Sequence, residues 1–424
     1  MIPPLYQHQK DIIKDDPKMC GLWLGTGGAK TRTALELSEG SILVICPKQQ
    51  VLDNTWHNNA HKFGIYKMMR VISKEEFRRD WEQLNAYDTV IIDEVHNNLG
   101  VLPDTRTRKG TVIPKTSQLF EATQKYLERH PPKRLYLCSA TPASKPMNVW
   151  AIARLFGKKW DFFKFRERFY VNIKMGYRSI WLPKTTSAFK EELAGYVKKM
   201  GYTGRLQDWF DVPEQSHIIK YVDLSKEQKD AIREINSQEA DPMVKRTKMR
   251  SIENGVLYEY ELDRISARTE RMVKSTKTFK NEKIDYILER ALEFPKMLIF
   301  ANYTAQVETI QKALEKEKYT VYTLTGQTKD RGNVVSSAEK ATSCIVIAQC
   351  GISAGYELKS VPCVIFASKS YKYLDYEQGC GRVLRADALK KNLYIHLVVK
   401  GGVDEACHKA IEAGEDFQEK IHEQ

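Results

Sequence analysis

A glycine-rich loop near the amino terminus has the residue types that can hold a phosphate chain. The loop reads Gly25-Thr26-Gly27-Gly28-Ala29-Lys30-Thr31 and lies between an apolar run and a helical pattern. In that context, backbone N–H groups at a helix N-terminus converge on phosphate oxygens. Lys30 would contact the β- and γ-phosphates of a nucleotide, and the Thr31 hydroxyl would bind Mg²⁺. Ala29 stands where such loops usually have a glycine, so an ordinary glycine-rich turn is the alternative interpretation.

A pair of carboxylates follows another apolar run. The residues Asp93-Glu94-Val95-His96 come directly after Val90-Ile91-Ile92, and so they lie at a carboxyl-terminal strand end, where α/β proteins bind their ligands. Asp93 would hold Mg²⁺ through water, and Glu94 would activate the water that attacks the phosphate. Acidic pairs after strands also act as plain caps, but the spacing of roughly sixty residues from the phosphate loop favours a nucleotide site.

A glutamine upstream of the loop is a candidate for base recognition. Gln9 lies in the segment Tyr6-Gln7-His8-Gln9, where an element that reads adenine would be placed. Its carboxamide could pair with both the donor and the acceptor on the adenine edge. A surface glutamine without a ligand is the alternative.

Two arginines near the carboxyl terminus can offset charge on a phosphate. They belong to the segment Gln378-Gly379-Cys380-Gly381-Arg382-Val383-Leu384-Arg385, and we expect Arg382 and Arg385 one helical turn apart. A guanidinium presents a planar fork of donors, which suits the γ-phosphate and the charge that develops during its transfer. A solvated helix face is the alternative, but it leaves the spacing of Gln378 and Gly381 unexplained.

The elements that position these residues follow the rhythm of parallel α/β domains. Short apolar runs separated by helical patterns predict buried strands at residues 21–24, 41–46, 89–92, 134–138, 296–300, 320–323, 344–347, 361–366 and 393–398. We therefore predict one domain at residues 1–155 and a second at 283–424, closed by a helix from Asp404 to Ile421. Between them, at 156–282, the strand rhythm fades and a largely helical insertion and linker is predicted.

Composition narrows the class of protein. The net charge of +13 and the pI near 9.1 favour a polyanionic partner. No apolar run approaches the roughly 20 residues of a bilayer span and no secretory signal is readable, so we expect a cytoplasmic protein. The eight cysteines form no Cys-x-x-Cys pair, which predicts buried free thiols. Lysines and arginines from 245 to 283 are interleaved with glutamates, which favours solvated helix faces over a nucleic-acid surface.

Taken in order, these segments together with Ser139-Ala140-Thr141-Pro142 resemble the superfamily 2 helicases. Residues 378–385 match that family's Gln-x-x-Gly-Arg-x-x-Arg motif completely. Within the superfamily, Cys46-Pro47-Lys48 and Gly402-Val403-Asp404-Glu405 are similar to segments of the Swi/Snf-like (DExH-box) translocases, especially the short DNA helicases carried by phages. The resemblance runs from Tyr6 to the region of Phe417 and implies that the two parallel-sheet α/β domains are tandem RecA-like P-loop domains.

The resemblance also implies roles for individual residues. Contacts to nucleic-acid phosphates fall on Pro47, Lys48, Lys115, Ser117, Asn302, Tyr303 and Ser353. Ser139, Ala140 and Thr141 would couple the ATP site to the nucleic acid. Gly355 and Glu357 would contact the nucleotide, although Ser353 and Glu357 replace a Gly and an Asn of the family pattern. Residues 97–112 form an extra loop.

These features together predict an ATP-dependent DNA helicase or double-strand DNA translocase. With ATP and Mg²⁺ bound, closure of the two domains would bring Arg382 and Arg385 to the γ-phosphate. We expect a monomer that acts on DNA without a membrane, in the host cytoplasm if a phage encodes it. Three alternatives stay open: an RNA-directed DExH helicase, a restriction-type motor subunit, and a nucleic-acid-binding module without ATPase activity.

Overall fold

The computed structural model describes residues 2–108, 110–143, 145–175, 178–211, 215–266, 269–352, 356–383 and 391–414. The chain divides into two compact units, Met1–Asp211 and Val212–Gln424. The boundary between them falls inside the stretch 156–282, which the sequence had assigned to a linking region. Among the described residues, no helix is both long and apolar enough to cross a membrane.

The first unit contains a six-stranded sheet and two hairpins. Its strands are β1 (Met19–Leu24), β2 (Ile42–Cys46), β3 (Met69–Ser73), β4 (Thr89–Ile92), β5 (Val101–Arg108), β6 (Thr111–Thr116), β7 (Arg134–Cys138), β8 (Tyr170–Met175), β9 (Arg178–Pro183) and β10 (Gly201–Gly204). Its α-helices are α1 (Gln7–Asp15), α2 (Lys30–Leu37), α3 (Lys48–Leu52), α4 (Thr55–Lys62), α5 (Lys74–Asp80), α6 (Gln118–Arg129), α7 (Pro146–Leu155), α8 (Phe162–Phe169) and α9 (Ser187–Lys199). Short 3₁₀ helices lie at Trp81–Gln83, Val95–Asn98 and Leu206–Asp208.

The sheet of the first unit is entirely parallel, with strand order β10-β1-β7-β4-β2-β3. Its central strands β2, β4 and β7 are buried at every residue. Successive side chains point to opposite faces of a sheet, and accordingly Val90 and Ile92 pack into one hydrophobic cluster while Ile91 packs into another. Helices cover both faces, which is why these strands are apolar throughout rather than alternating.

The second unit repeats this architecture. Its strands are β11 (Ser216–Val222), β12 (Val256–Ser266), β13 (Thr269–Thr278), β14 (Lys296–Ala301), β15 (Val321–Leu324), β16 (Cys344–Gln349), β17 (Cys363–Phe366) and β18 (Leu393–Val399). Its helices are α10 (Lys226–Ser237), α11 (Pro242–Glu253), α12 (Glu282–Glu293), α13 (Thr304–Lys316), α14 (Arg331–Lys340), α15 (Tyr373–Cys380) and α16 (Val403–Glu412), with a 3₁₀ turn at Cys350–Ile352. The six-stranded parallel sheet has the order β11-β18-β17-β14-β16-β15, and β12 and β13 form an antiparallel hairpin.

The fold class predicted from the sequence is confirmed. All nine predicted strands are present, and both main sheets are parallel. The stretch 156–282 contains helices α8 to α11 and also the hairpins β8–β9 and β12–β13. Strand β10 completes the first sheet and β11 the second, so this stretch belongs to both units. The extra loop at 97–112 overlaps the β5–β6 hairpin. The closing helix ends earlier than expected, at Glu412, and residues 415–424 lie outside the described residues.

The cysteines are positioned as the sequence predicted. All eight are free thiols, and seven of them are buried. Burial raises the pKa of several, for example to about 12 for Cys20 and Cys46. These thiols therefore act as small apolar core residues.

Candidate active site

The site residues predicted for the first unit lie at one edge of its sheet. Because the strands are parallel, the segments that follow β1, β7, β4, β2 and β3 emerge side by side. These segments carry, respectively, the phosphate loop at 25–29, the Ser139-Ala140-Thr141 segment, the Asp93–Glu94 pair, Pro47 with Lys48, and Lys74. Five neighbouring strands thus deliver one cluster of polar side chains.

The phosphate loop makes a tight turn between β1 and α2. Gly27 has φ +80° and Ala29 has φ +58°, so both occupy the left-handed region of backbone space. A Cβ added to Gly28 would lie 2.9 Å from the Leu24 Cβ, so this position has no room for a side chain. Ala29, which departs from the usual glycine, adopts the conformation that a glycine would favour, at a cost of roughly 1–2 kcal/mol.

The Lys30 ammonium group closes this loop. Its Nζ donates to the backbone oxygens of Leu24 at 2.7 Å and of Gly25 at 3.2 Å. Thr31 is the second residue of α2 and is half-buried. Both side chains therefore lie at the helix N-terminus, where a phosphate chain would bind.

An aromatic layer lies behind the loop, and the sequence had not predicted it. The His8 ring stacks on Trp209 with ring centroids 4.0 Å apart, and its Nε2 is 3.3 Å from the Gly28 oxygen. The Gly25 amide donates to the Gly204 oxygen at 2.8 Å. The end of the first unit, around β10 and Trp209, therefore supports the phosphate loop from 180 residues further along the chain.

Gln9, predicted to read adenine, is fully buried in the described structure. Its oxygen accepts from the Tyr6 amide at 3.0 Å, and its nitrogen donates to the Thr33 hydroxyl at 3.2 Å. The carboxamide thus ties α1 to α2. Base recognition by Gln9 stays a prediction.

The acid pair lies beside the loop, with Asp93 buried and Glu94 half-buried. Asp93 is 6% exposed, and burial followed by the neighbouring Glu94 charge raises its pKa above the ordinary value. Lys30, Lys74 and a hydrogen bond from Gln50 oppose that shift. Glu94 has φ +45°, and its amide donates to the Asp93 carboxylate at 2.9 Å.

The same pair has the features of a cation and water site. Glu94 Oε2 is buried and has no hydrogen-bond partner among the described residues, although the His96 Nδ1 lies 3.4 Å away. A buried carboxylate with a second, half-buried carboxylate beside it is costly unless positive charge compensates the two. Mg²⁺ prefers carboxylate oxygen ligands together with water and phosphate oxygens. The acid pair, the Thr31 hydroxyl and the phosphate loop therefore fit a nucleoside triphosphate with Mg²⁺.

The Ser139-Ala140-Thr141 segment is connected to the acid box through His96. The Ser139 hydroxyl lies 3.1 Å from His96 Nδ1 and accepts from the Thr141 amide at 3.1 Å. Ser139 is fully buried. The hydroxyl oxygen of Thr141 is buried without a hydrogen-bond partner among the described residues.

The other residues predicted to contact nucleic acid lie in several places. In the first unit, Pro47 precedes α3, the side chains of Lys48 and Lys115 are exposed, and the Ser117 hydroxyl caps α6 by accepting from the Phe120 amide at 3.2 Å. In the second unit, Asn302 and Tyr303 follow β14. Glu357 is exposed and lies 3.7 Å from Lys359. Ser353 and Gly355 lie outside the described residues.

The arginine segment differs in one respect from its prediction. Helix α15 ends at Cys380, and Arg382 lies in the turn that follows rather than on the helix. The Arg382 guanidinium donates to the backbone oxygens of Gln378 at 3.0 Å and Tyr356 at 2.9 Å. Gly381 is the C-cap of α15, and its amide donates to the Glu377 oxygen at 3.0 Å. Arg385 lies outside the described residues.

Lys74 is a polar residue of the site that the sequence did not reveal. It begins α5 directly after β3, and its Nζ donates to the Glu94 oxygen at 2.6 Å. The strand that precedes Lys74 is hard to predict from the sequence because β3 is an edge strand. Its residues Met69 and Val71 are only half-buried, and Arg70 is exposed. A strand prediction at 69–73 would have placed Lys74 at the same sheet edge as the acid pair.

Comparisons with known proteins agree with this architecture. Residues 279–387 match the model of the helicase conserved C-terminal domain. The chain matches none of the curated protein sequences. It is similar to the crystal structure of the Pyrococcus furiosus Hef helicase domain, with a TM-score of 0.50 and 13% identity over 96% of this chain and 98% of that one. It is also similar to the C-terminal part of the Fun30 ATPase domain, with a TM-score of 0.36 and 16% identity over 47% of this chain and 89% of that one.

Proposed function

We propose that this chain is an ATP-dependent DNA helicase or double-strand DNA translocase of the Swi/Snf-like type. The helicase C-terminal domain and the tandem RecA-like fold support a superfamily 2 helicase or translocase acting on nucleic acid. The observation that carries the ATPase assignment is the convergence of the phosphate loop, the acid pair and the Ser139 segment at one sheet edge. We further infer a monomer that works in the cytoplasm, where its eight free thiols stay reduced.

Within this proposal, four side chains of the first unit act on the nucleotide. Lys30 moves from the Leu24 and Gly25 oxygens to the phosphates, and the loop amides bind the phosphate oxygens. Thr31 and Asp93 would hold Mg²⁺, which would neutralise charge on the phosphate chain. Glu94 accepts a proton from the attacking water.

The second unit supplies the arginines in this proposal. Arg382 exchanges its bonds to the Gln378 and Tyr356 oxygens for the γ-phosphate, together with Arg385. His96 and Ser139 connect the acid box to Thr141, and through it to the nucleic acid. Phosphate contacts give affinity without sequence specificity, which suits a motor that moves along DNA.

The test is ATP turnover with different polymers. ATPase rates are measured with single-stranded DNA, duplex DNA, forked DNA and RNA, followed by strand displacement on the best substrate. Stimulation by DNA is expected. Stimulation by RNA alone would instead support the RNA-directed alternative, and absence of turnover with every polymer would contradict the proposal.

Glu94→Gln removes the proposed base while keeping the shape of the side chain. Nucleic-acid-stimulated turnover should fall by about 10²–10⁴-fold with ATP binding retained. Lys30→Ala should abolish turnover and weaken ATP binding, because the phosphate contact is lost. Glu128→Gln, at an exposed position on α6, is the matched control. Turnover at the wild-type rate in Glu94→Gln would contradict the assignment of Glu94 as the base.

A further inference from the structure

Lys74 is a buried lysine that lies outside every motif of the chain. It is 6% exposed, whereas lysine is almost never buried unless its charge is paired or solvated by the protein. The Ser73 hydroxyl accepts from the Glu76 amide at 3.1 Å and so fixes the start of α5, where Lys74 is the first residue. The lysine stem therefore has a defined origin and points inward to the acid box.

Its ammonium group contacts the backbone of the proposed base. Nζ donates to the Glu94 oxygen at 2.6 Å, while the Glu94 amide donates to the Asp93 carboxylate at 2.9 Å. Both polar groups of the Glu94 main chain are thus engaged. Because the side chain leaves from this backbone, fixing the backbone fixes the Cα–Cβ direction from which the carboxylate reaches the site.

The Glu94 backbone needs such support. Its φ of +45° lies in the left-handed region, which is unfavourable for a residue with a Cβ and persists where the surrounding structure holds it in place. A charge-assisted hydrogen bond is roughly twice as strong as a neutral one. The Lys74 bond therefore adds to the bond that the Asn97 amide donates to the same oxygen at 3.0 Å, and together they hold the turn at Glu94.

The position of the charge has a second effect. Asp93 and Glu94 both act on the Lys74 ammonium electrostatically, and Lys74 in turn opposes the upward shift in the Asp93 pKa. Lys30 opposes the same upward shift in the Asp93 pKa.

We infer that Lys74 is a positioning residue of the proposed ATP site, holding the Glu94 peptide so that the Glu94 carboxylate is aimed at the attacking water. This inference rests on the proposed ATPase function. Lys74 touches neither the nucleotide nor the water in this assignment, and it acts through Glu94. A purely structural lysine would instead affect stability alone.

The test compares Lys74→Met, Lys74→Gln and Lys74→Arg with Lys125→Met, a control at an exposed lysine of α6. Turnover and KM for ATP are measured with saturating DNA, and affinity is measured with a fluorescent non-hydrolysable ATP analogue and Mg²⁺. Because small misplacements of catalytic groups can cost about 10²-fold, Lys74→Met should lower kcat by at least 10-fold. KM and affinity should change little, and Lys74→Arg should restore most of kcat.

A second measurement needs no nucleotide. Amide hydrogen exchange of peptides covering residues 93–98 should speed up in Lys74→Met and stay unchanged in Lys125→Met. A folded Lys74→Met with wild-type kcat and exchange overturns the inference while leaving the proposed function intact. If Lys74→Met is poorly folded, the other two variants test the inference. A wild-type kcat in Lys74→Gln overturns the inference, and so does a kcat in Lys74→Arg that is as low as in Lys74→Gln. Wild-type protein without ATPase activity would instead contradict the proposed function, and the exchange measurement would still test the Lys74 contact.

Discussion

Two residues with side chains, Ala29 and Glu94, adopt left-handed backbone conformations at the candidate site. A lysine donates to backbone oxygens near each of them: Lys30 to Leu24 and Gly25 of the phosphate loop, and Lys74 to Glu94 itself. Such conformations cluster at functional sites because the surrounding structure holds them in place. Contacts within the first unit therefore support both turns.

Gly28→Ala tests the space behind the phosphate loop. The new Cβ would lie 2.9 Å from the Leu24 Cβ, 3.0 Å from the Gly25 oxygen and 3.2 Å from the Trp209 ring. Because this overpacks the loop, unfolding free energy should fall by about 1–3 kcal/mol and affinity for the ATP analogue should weaken. Urea unfolding and equilibrium titration measure the two effects.

The control for this substitution is Gly195→Ala in α9. A Cβ there meets no atom within 4 Å. Removing a glycine from a helix interior should therefore stabilise the protein by about 0.5–1 kcal/mol and leave nucleotide affinity unchanged. Equal changes in unfolding free energy and in nucleotide affinity for the two variants would show that the loop has more room than its contacts indicate.

At the scale of elements, buried charges join helices of the second unit. The Lys283 Nζ on α12 donates to Asp404 at 2.7 Å, Asn254 at 2.7 Å and the Ala367 oxygen at 2.8 Å. The carboxylate of Glu253 on α11 accepts from the amides of Val403 and Asp404 at the start of α16. These bonds fasten α11 and α16 to the second sheet, which explains why α11 belongs to this unit.

Lys283→Met should therefore destabilise the second unit. Removing Lys283 takes away the nearer of two buried cations and leaves the Asp404 carboxylate with Arg250 at 3.5 Å, at a cost of up to about 3–5 kcal/mol. Lys312→Met, at an exposed position on α13, should stay within about 0.5 kcal/mol of wild type. Urea unfolding followed by circular dichroism measures the free energy of unfolding of both variants. A small loss of stability in Lys283→Met would mean that water replaces the lysine.

A charge cluster in the first unit predicts a dependence on pH. The guanidinium of buried Arg134, on β7, bonds Asp16 after α1 and Glu39 after α2. Hydrogen bonds from Arg134 and Lys18 lower the pKa of Asp16 from 3.8 to about 2 in the folded protein. Because this pKa is depressed, the stabilisation is present above pH 3.8 and is lost as pH falls through about 2.

Asp16→Asn isolates this contribution. Asparagine tolerates the left-handed conformation that Asp16 adopts, with φ +44°. The variant should be less stable than wild type at pH 7, and the difference should shrink between pH 4 and pH 2. Thermal unfolding across this range measures it, and a difference independent of pH would rule out the ion pair as its cause.

At the scale of the whole molecule, the chain is two compact units that meet in sequence at Asp211 and Val212. The first unit depends on its last residues, because β10 pairs with β1 and Trp209 lies against the phosphate loop. The Trp23 indole also donates to the Val197 oxygen at 3.1 Å. A boundary at residue 155, as the sequence suggested, would remove these contacts.

A fragment of residues 1–211 should therefore fold and bind the ATP analogue. A fragment of residues 1–199 lacks β10 and Trp209, and it should unfold at lower urea concentration and bind nucleotide more weakly. Neither fragment contains the Arg382 segment, so DNA should not stimulate ATP turnover in either. Equal stability of the two fragments would contradict the role given to β10.

The sequence by itself determined the fold class and most of the first unit's candidate site. Continuous apolar runs mark strands that are covered on both faces, and parallel strands bring their carboxyl ends to one edge. Lys30, Asp93, Glu94 and Ser139 each directly follow such a run or lie within one loop of it. Their mutual proximity could therefore be predicted without knowing any long-range contact.

Only the tertiary structure decided the edges of the sheets and the residues that support the site. The edge strands β3, β10 and β11 are half-exposed, so they lack the continuous apolar signal that marks buried strands. Their places depend on pairings between distant segments, such as Gly21 with Gly201. Lys74 and Trp209 reach the site through these edge strands, because a contact between distant segments leaves no local pattern in the chain.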